Sequence, residues 1–165
     1  MTDDRIIRAE PLTAETFAPF GDVLEAAGTP DRLINAGRCG RFHDRARLDI
    51  ADRAGISVFR SDSVTLPHGF SLVERHPLGS QAFLPMTQNP FLVIVAEDRN
   101  GTPGQPLAFV TAPGQGVNIG RNVWHGVLTP LGDPGLFAVV DRCAEGPNLE
   151  EYTWDAEWTV VGDKV

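Results

Sequence analysis

Short apolar segments separated by turn residues dominate the chain from residue 55 onward. They either alternate apolar with polar positions or form brief apolar runs, and Gly, Pro, Asn or Asp bounds most of them. This pattern predicts β-strands rather than helices. The predicted strands are 56–60, 70–76, 81–84, 91–96, 107–111, 116–119, 122–128 and 136–142. Strands at a spacing of roughly ten residues are typical of a sandwich or barrel. A jelly roll is the all-β choice that leaves a small pocket between two sheets.

Helix signals are confined to the start of the chain and to isolated turns. Residues 13–17 predict a short N-terminal helix with Thr13 as its N-cap, ending before Pro19 and Gly21. Segments 49–53 and 148–152 each predict one further helical turn. Glycine and proline total 30 residues and are spread along the chain rather than gathered in a linker. We therefore expect residues 1–165 to form one domain.

Charge and composition exclude several functions. The net charge is −8, without a basic cluster, which argues against nucleic acid or a membrane surface as the partner. No apolar run is long enough to span a bilayer, and the N-terminus lacks a signal pattern, so a cytoplasmic location is expected. Cys39 and Cys143 are too few for a disulfide framework, and Lys164, the only lysine, is poorly placed for Schiff-base chemistry. Proton transfer therefore falls to histidines and carboxylates.

The richest chemistry follows the second predicted strand. Side chains alternate along a strand, so Glu74 and His76 share one face and Arg75 points the other way. A surface ion pair or a core histidine would explain these residues without any function. Their spacing, however, resembles the first metal motif of cupin barrels, because Gln81 follows His76 after four residues.

A second segment resembles the other cupin motif. Gly114, Gly120, Asn122 and His125 fall on its spacing, although Gly120 and Asn122 replace its usual proline and glycine. The combined set of Glu74, His76, Gln81 and His125 offers mixed imidazole and oxygen ligands, which suit Ni, Mn or Zn. The same set would equally suit a metal-free acid–base pocket. The expected fold is thus an all-β, cupin-like double-stranded β-helix (a jelly-roll barrel) with a short N-terminal helix.

Longer segments resemble those of one family. Residues 74–85 (ERHPLGSQAFLP), 121–125 (RNVWH) and 140–142 (VDR) closely resemble the signature segments of the ureidoglycolate lyases, and similarity continues in 11–23, 34–37 and 41–44. The resemblance covers roughly residues 8–150. It implies a cupin-like barrel, a homodimer, and cleavage of (S)-ureidoglycolate to glyoxylate and urea in purine (allantoin) catabolism. It also implies a divalent metal, nickel, and no organic cofactor.

That reaction assigns roles to the candidate residues. It needs a base and an acid with effective pKa values near neutrality, for which His76 and His125 are suited, with Glu74 orienting an imidazole or acting as the base. Gln81 would hydrogen-bond the urea group. A guanidinium matches the substrate carboxylate. Arg121 and Arg41 rank ahead of Arg75 for this role, and Asn35 would add a contact.

The chain departs from the family at two positions. Gly120 and Gly126 stand where members commonly carry histidines. This difference leaves two alternatives open: a divergent cupin that acts on a related ureido or hydroxy acid, or a non-catalytic cupin that binds small molecules.

Overall fold

The computed structural model describes residues 5–162 of the chain. The one α-helix of this region is α1 (Ala14–Phe17). The strands are β1 (Ile6–Arg8), β2 (Glu10–Pro11), β3 (Gly21–Leu24), β4 (Arg32–Ile34), β5 (Cys39–Arg41), β6 (Ala54–Ser61), β7 (His68–Arg75), β8 (Gln81–Pro85), β9 (Phe91–Ala96), β10 (Asp98–Arg99), β11 (Thr102–Pro103), β12 (Leu107–Val110), β13 (Gly116–Ile119), β14 (Trp124–His125), β15 (Thr129–Pro130), β16 (Gly135–Arg142) and β17 (Glu150–Val161). Within residues 5–162, no helix has the length and apolar character needed to cross a membrane.

Two mixed or antiparallel sheets form the body of the protein. The larger sheet has the order β1-β17-β7-β14-β9-β12-β2, with β15 also paired to β9, and the smaller has the order β3-β13-β8-β16-β6. In the larger sheet β1 pairs with β17, and β2 with β12, in parallel. The ribbons β4–β5 and β10–β11 stand apart from both sheets. This arrangement confirms the prediction of an all-β, barrel-like fold with a short N-terminal helix.

The core lies between the inner faces of the two sheets. The sequence alternates, so that Val93 and Val95 of β9 meet Ile119 of β13 and Val139 of β16 in one cluster. The opposite side of β9 is also covered, because Leu92 and Ile94 pack with Trp158 and Val160 in a second cluster. A strand buried on both faces must be apolar throughout. This explains the unbroken run of buried residues in Phe91–Ala96.

The predicted N-terminal helix is present with its expected cap. The Thr13 side chain accepts a hydrogen bond from the Thr16 backbone N–H at 3.1 Å, which satisfies one of the free donors of the first turn. Phe17 at its end is fully buried against Phe109 of the larger sheet. Burial of one aromatic side chain therefore holds this short helix against the barrel.

Pairing over long sequence distances overrode two local predictions. The turn predicted at 148–152 is wrong, because β17 begins at Glu150 and pairs antiparallel with β7. The turn predicted at 49–53 is also wrong, since Ile50 forms a β-bridge with Gly79. The strand predicted at 122–128 is reduced to Trp124–His125. Sheet pairing supplied hydrogen bonds that local helix signals could not match.

Several connections meet at one end of the barrel. The register pairs Gln81, where β8 begins, with Ile119, where β13 ends. β16 also ends beside Gln81, because Val140 pairs with Ala82 and the strand continues only to Arg142. On the larger sheet, Glu74 near the end of β7 pairs with His125 of β14. The links that follow β7, β13 and β16 therefore gather at this end, and the candidate functional residues lie there.

Candidate active site

Glu74, His76 and His125 converge at this end of the barrel. Glu74 and His125 are directly opposite each other on neighbouring strands, so their side chains leave the same face of the sheet. His76 follows β7 immediately, and its Nε2 lies 3.9 Å from Glu74 Oε1. The two imidazole rings are 5.2 Å apart between centroids. One ligand atom from each of the three residues lies within 4.8 Å of the other two.

Backbone carbonyls hold both imidazoles in the same tautomer. His76 Nδ1 lies 2.8 Å from the Asn148 carbonyl oxygen, and His125 Nδ1 lies 2.9 Å from the Gly126 carbonyl oxygen. A carbonyl oxygen only accepts, so each Nδ1 must carry the hydrogen and donate it. Each Nε2 atom then presents a lone pair. Both Nε2 atoms are buried, and neither has a hydrogen-bond partner within residues 5–162.

Burial shifts two pKa values in opposite senses. His125 is 2% exposed, and this burial lowers its pKa to about 4, only partly offset by its hydrogen bond to the Gly126 carbonyl. Burial also raises the pKa of Glu74, an effect that the nearby His76 opposes and the Glu151 carboxylate reinforces. His125 is therefore neutral at pH 7. The site combines a neutral imidazole with a carboxylate whose proton affinity is increased.

The three side chains fit a divalent cation on chemical grounds. Two imidazole lone pairs and one carboxylate face a common point, and this donor set suits Ni²⁺ or Zn²⁺. The unsatisfied Nε2 atoms are also costly without a partner, because a buried acceptor loses its bonds to water. Either a cation or the donor hydrogens of a substrate would satisfy them.

Gln81 lies on the opposing sheet at the same end of the barrel. It belongs to the inner face of β8, where its cross-strand neighbour is the core residue Ile119. Its Nε2 donates a hydrogen bond to Asp141 Oδ2 at 3.0 Å, while its buried Oε1 has no hydrogen-bond partner in the part of the chain that the structure describes. The predicted cupin set thus divides between the sheets, with Gln81 on one and the other three residues on the other.

Arg75 faces away from this group. Its guanidinium lies 4.3 Å from the ring centre of Trp124 and pairs with Asp98 at 2.8 Å and Glu150 at 2.7 Å. Trp124 immediately precedes His125, so this cluster occupies the opposite face of the sheet. Arg75 thereby braces the strand that carries His125.

The remaining candidates for substrate binding lie in two different parts of the fold. Arg121 lies in the link between β13 and β14, where its Nε donates to the Pro77 carbonyl oxygen at 2.8 Å and its Nη1 to Asp49 at 3.3 Å. It is therefore held beside the residues that follow His76. Asn35 and Arg41 belong to the β4–β5 ribbon instead, Asn35 in its turn with a φ of 56° and Arg41 exposed at its end. This ribbon forms a two-stranded sheet of its own and shares no β-pairing with the two larger sheets among the described residues.

The two glycines that replace family histidines are tightly packed. A Cβ atom at Gly126 would lie 3.1 Å from Ile94 Cβ, and one at Gly120 would lie 3.2 Å from both the Phe20 carbonyl oxygen and a Val123 methyl group. Ile94 belongs to the cluster on the outer face of the larger sheet. A side chain at position 126 would therefore point away from His125 and its neighbours.

Two residues that support the site were not predicted from the sequence as functional candidates. Asn148 accepts a hydrogen bond from His76 Nδ1 through its carbonyl and from the Leu78 N–H through its side chain at 2.7 Å. Asp141 holds Gln81. Asn148 lies 72 positions from His76 in the chain, so no local pattern signals its role. For Asp141, only its place within a signature segment offered a hint.

The fold and the site together define a β-barrel protein with two histidines and a carboxylate gathered at one end of the barrel. The family model described as ureidoglycolate lyase matches residues 4–161. A ureidoglycolate lyase of Rhodobacter capsulatus is 66% identical over 93% of this chain and 96% of its own length. One of Chelativorans sp. is 54% identical over 90% and 92%, and ureidoglycolate lyase 2 of Rhizobium meliloti is 50% identical over 91% and 94%. The chain belongs to the ureidoglycolate lyase family.

Proposed function

We propose that this protein cleaves (S)-ureidoglycolate to glyoxylate and urea, a step in the breakdown of allantoin, through Glu74, His76 and His125. The observation that carries the proposal is the pair of buried, unpartnered Nε2 lone pairs beside a carboxylate. The substrate has a hydroxyl and a ureido nitrogen on one carbon, next to a carboxylate. Its hydroxyl is a donor of the kind that these acceptors lack. We expect the reaction to take place in the cytoplasm.

The chemistry moves one proton from oxygen to nitrogen. The hydroxyl loses its proton as the carbon–oxygen double bond of glyoxylate forms, the C–N bond breaks, and the departing nitrogen gains a proton to give urea. His76 Nε2 takes the hydroxyl proton and returns it to that nitrogen. Glu74 Oε1, at 3.9 Å, stabilises the imidazolium in between. Neutral His125 accepts a hydrogen bond from the ureido N–H on the same carbon, which orients the hydroxyl toward His76.

The substrate carboxylate is expected to meet Arg121. This residue lies at the same end of the barrel and is fixed by the Pro77 carbonyl and Asp49. A guanidinium has five donors, so those two contacts leave others for an anion. Arg75 is unsuited to this role, because it is engaged by Asp98 and Glu150 on the far face. Arg41 and Asn35 would bind the substrate carboxylate only if the β4–β5 ribbon, which pairs with neither large sheet in the described part of the chain, reached the active site.

As an alternative to this metal-free proton transfer, Glu74, His76 and His125 would hold a divalent cation through the same lone pairs, and we propose nickel as that cation. Once bound, such an ion would act as a Lewis acid that polarises an oxygen of the substrate. Gln81 would add an oxygen ligand only through its free Oε1. The protein itself supplies the ligand atoms, and the backbone carbonyls that hold both imidazoles in one tautomer keep their Nε2 atoms free to bind the ion.

Release of glyoxylate from (S)-ureidoglycolate tests this function. The purified protein would be assayed after treatment with a chelator and again with added Ni²⁺ or Mn²⁺. We expect glyoxylate and urea in equal amounts under at least one condition, and loss of most turnover in His76→Ala. If neither condition released glyoxylate, the function would be wrong. A His76→Ala protein with unchanged turnover would contradict the role of His76 alone.

We further propose that the protein is a homodimer joined through the outer face of the smaller sheet. On the edge strand β6, Ile56 is 75% exposed and Val58 63% exposed. Their cross-strand neighbours on β16, Val140 and Ala138, extend the same apolar face. An edge strand with such a face favours association. Light scattering is expected to give twice the chain mass, and Val58→Asp to give a monomer; a monomeric wild-type protein would refute the proposal.

A further inference from the structure

A buried polar pair on the smaller sheet is left unused by the proton transfer described above. Gln81 is only 7% exposed, and its amide donates to the Asp141 carboxylate at 3.0 Å. Both residues lie on the inner face, since Gln81 follows the alternation of the core residue Phe83, and Asp141 that of Val139. The pair therefore faces the interior at the end of the barrel where the histidines lie.

Asp141 determines which way the Gln81 amide points. An ionised carboxylate only accepts hydrogen bonds, so the NH₂ group of Gln81 must face it. The amide oxygen Oε1 is then directed elsewhere, and it is buried with no hydrogen-bond partner among the described residues. The backbone of Asp141 is itself held in the sheet, where it pairs with Gly55 of β6. An unsatisfied buried oxygen of this kind calls for a donor hydrogen.

We infer that Asp141 is a positioning residue that sets the Gln81 oxygen to accept an N–H of the substrate's ureido group. The inference rests on the proposed function and extends it to recognition of the leaving group. The terminal NH₂ of the ureido group is present in substrate and product alike, so this contact acts on binding throughout the reaction. Disturbing it raises KM more than it lowers kcat. An amide turned the other way would present two hydrogens to the NH₂ group and repel it.

The test exchanges donor and acceptor within the pair. In Asp141→Asn, the new amide no longer fixes the orientation of Gln81. We expect KM for ureidoglycolate to rise about tenfold, with kcat changed by less than about threefold. Gln81→Glu alone sets two carboxylates against each other and also raises KM.

The double variant Gln81→Glu/Asp141→Asn restores the pair with its members reversed. The amide introduced at position 141 donates to the carboxylate introduced at position 81, whose second oxygen again faces inward as an acceptor. Its KM is expected to return to within about threefold of wild type.

Asp52→Asn is the matched control. Asp52 pairs with Arg142, the neighbour of Asp141 in the chain, and has no contact with Gln81 among the residues that the structure describes. Its positive φ of 63° is one that Asn adopts readily. The control is expected to keep the wild-type KM.

Three results would overturn the inference: an unchanged KM in Asp141→Asn, a double variant no better than the worse single variant, or a rise in KM that follows loss of bound nickel. Metal content and thermal unfolding would be measured for every variant. Should Asp141→Asn fail to fold, the KM of the double variant decides alone. A wild-type protein that released no glyoxylate would instead refute the proposed function, so the two failures are distinguishable.

Discussion

The free energy of unfolding at acid pH should depend on the lowered pKa of His125. Burial lowers its pKa to about 4 from the 6.5 of a free histidine. Between these two pH values the unfolded chain binds a proton at His125 and the folded protein does not. Below pH 6.5 the unfolded state binds this proton, and folding becomes less favourable until the pH reaches the folded pKa. The His125 contribution is therefore fully present above pH 7 and is lost as the pH falls from 6.5 to 4.

The size of the loss follows from the shift. Each pKa unit corresponds to about 1.4 kcal/mol, so the full effect is about 3 kcal/mol. Between pH 7 and pH 4.5, the part that can be measured is about 2 kcal/mol. Glu74 acts in the opposite sense, because a raised pKa stabilises the fold as the pH falls. A comparison with a variant that lacks only the His125 titration separates the two.

His125→Asn provides that comparison. The Asn amide replaces the Nδ1–H that donates to the Gly126 carbonyl but does not titrate. Guanidinium unfolding of both proteins, with a chelator present to exclude metal binding, gives the free energy of unfolding at each pH. The wild type should lose about 2 kcal/mol more than His125→Asn between pH 7 and pH 4.5. A difference that stays constant across this range would refute a buried, neutral His125, whatever the variant's absolute stability.

Three further outcomes are expected. Glu74→Gln removes the charge that stabilises the His76 imidazolium and should lower kcat about 100-fold, measured by glyoxylate release; a change below about threefold would contradict that role. Arg75→Leu removes ion pairs and the contact with Trp124 and should cost about 1–2 kcal/mol in the free energy of unfolding. Its kcat should be unchanged, so a selective loss of kcat would show that Arg75 meets substrate. Ni²⁺ at about 100 times its Kd should stabilise the fold by about 2.7 kcal/mol, and Glu74→Ala should abolish that gain in a thermal unfolding assay; equal gains in both proteins would place the ion elsewhere.

Local chemistry explains the parts of the protein that the sequence predicted well. The alternation of side chains set Glu74 and His76 apart from Arg75, and the structure places Arg75 on the far face as expected. The Thr13 cap and the apolar run of Phe91–Ala96 are likewise local signals, since a cap needs only its own turn and a doubly buried strand must be apolar.

Long-range strand pairing explains the parts of the structure that the sequence predicted poorly. The polar segment at the start of β17 looked helical, and only its register with β7 made it a strand. The same holds for the partners of the site, because neither Asn148 beside His76 nor Asp141 beside Gln81 is close to its partner in the chain. No periodicity encodes a contact across 60 or more positions.

Neighbouring positions in the chain are enough to indicate the fold class, the family and the residues able to move a proton, because strand alternation, turn residues and motif spacing are all local patterns. How those residues act depends on the folded molecule. Folding buries His125 and so keeps it neutral, fixes both Nε2 lone pairs through backbone carbonyls, and orients the Gln81 amide through Asp141. Desolvation and hydrogen-bond direction arise only when distant segments close around a group.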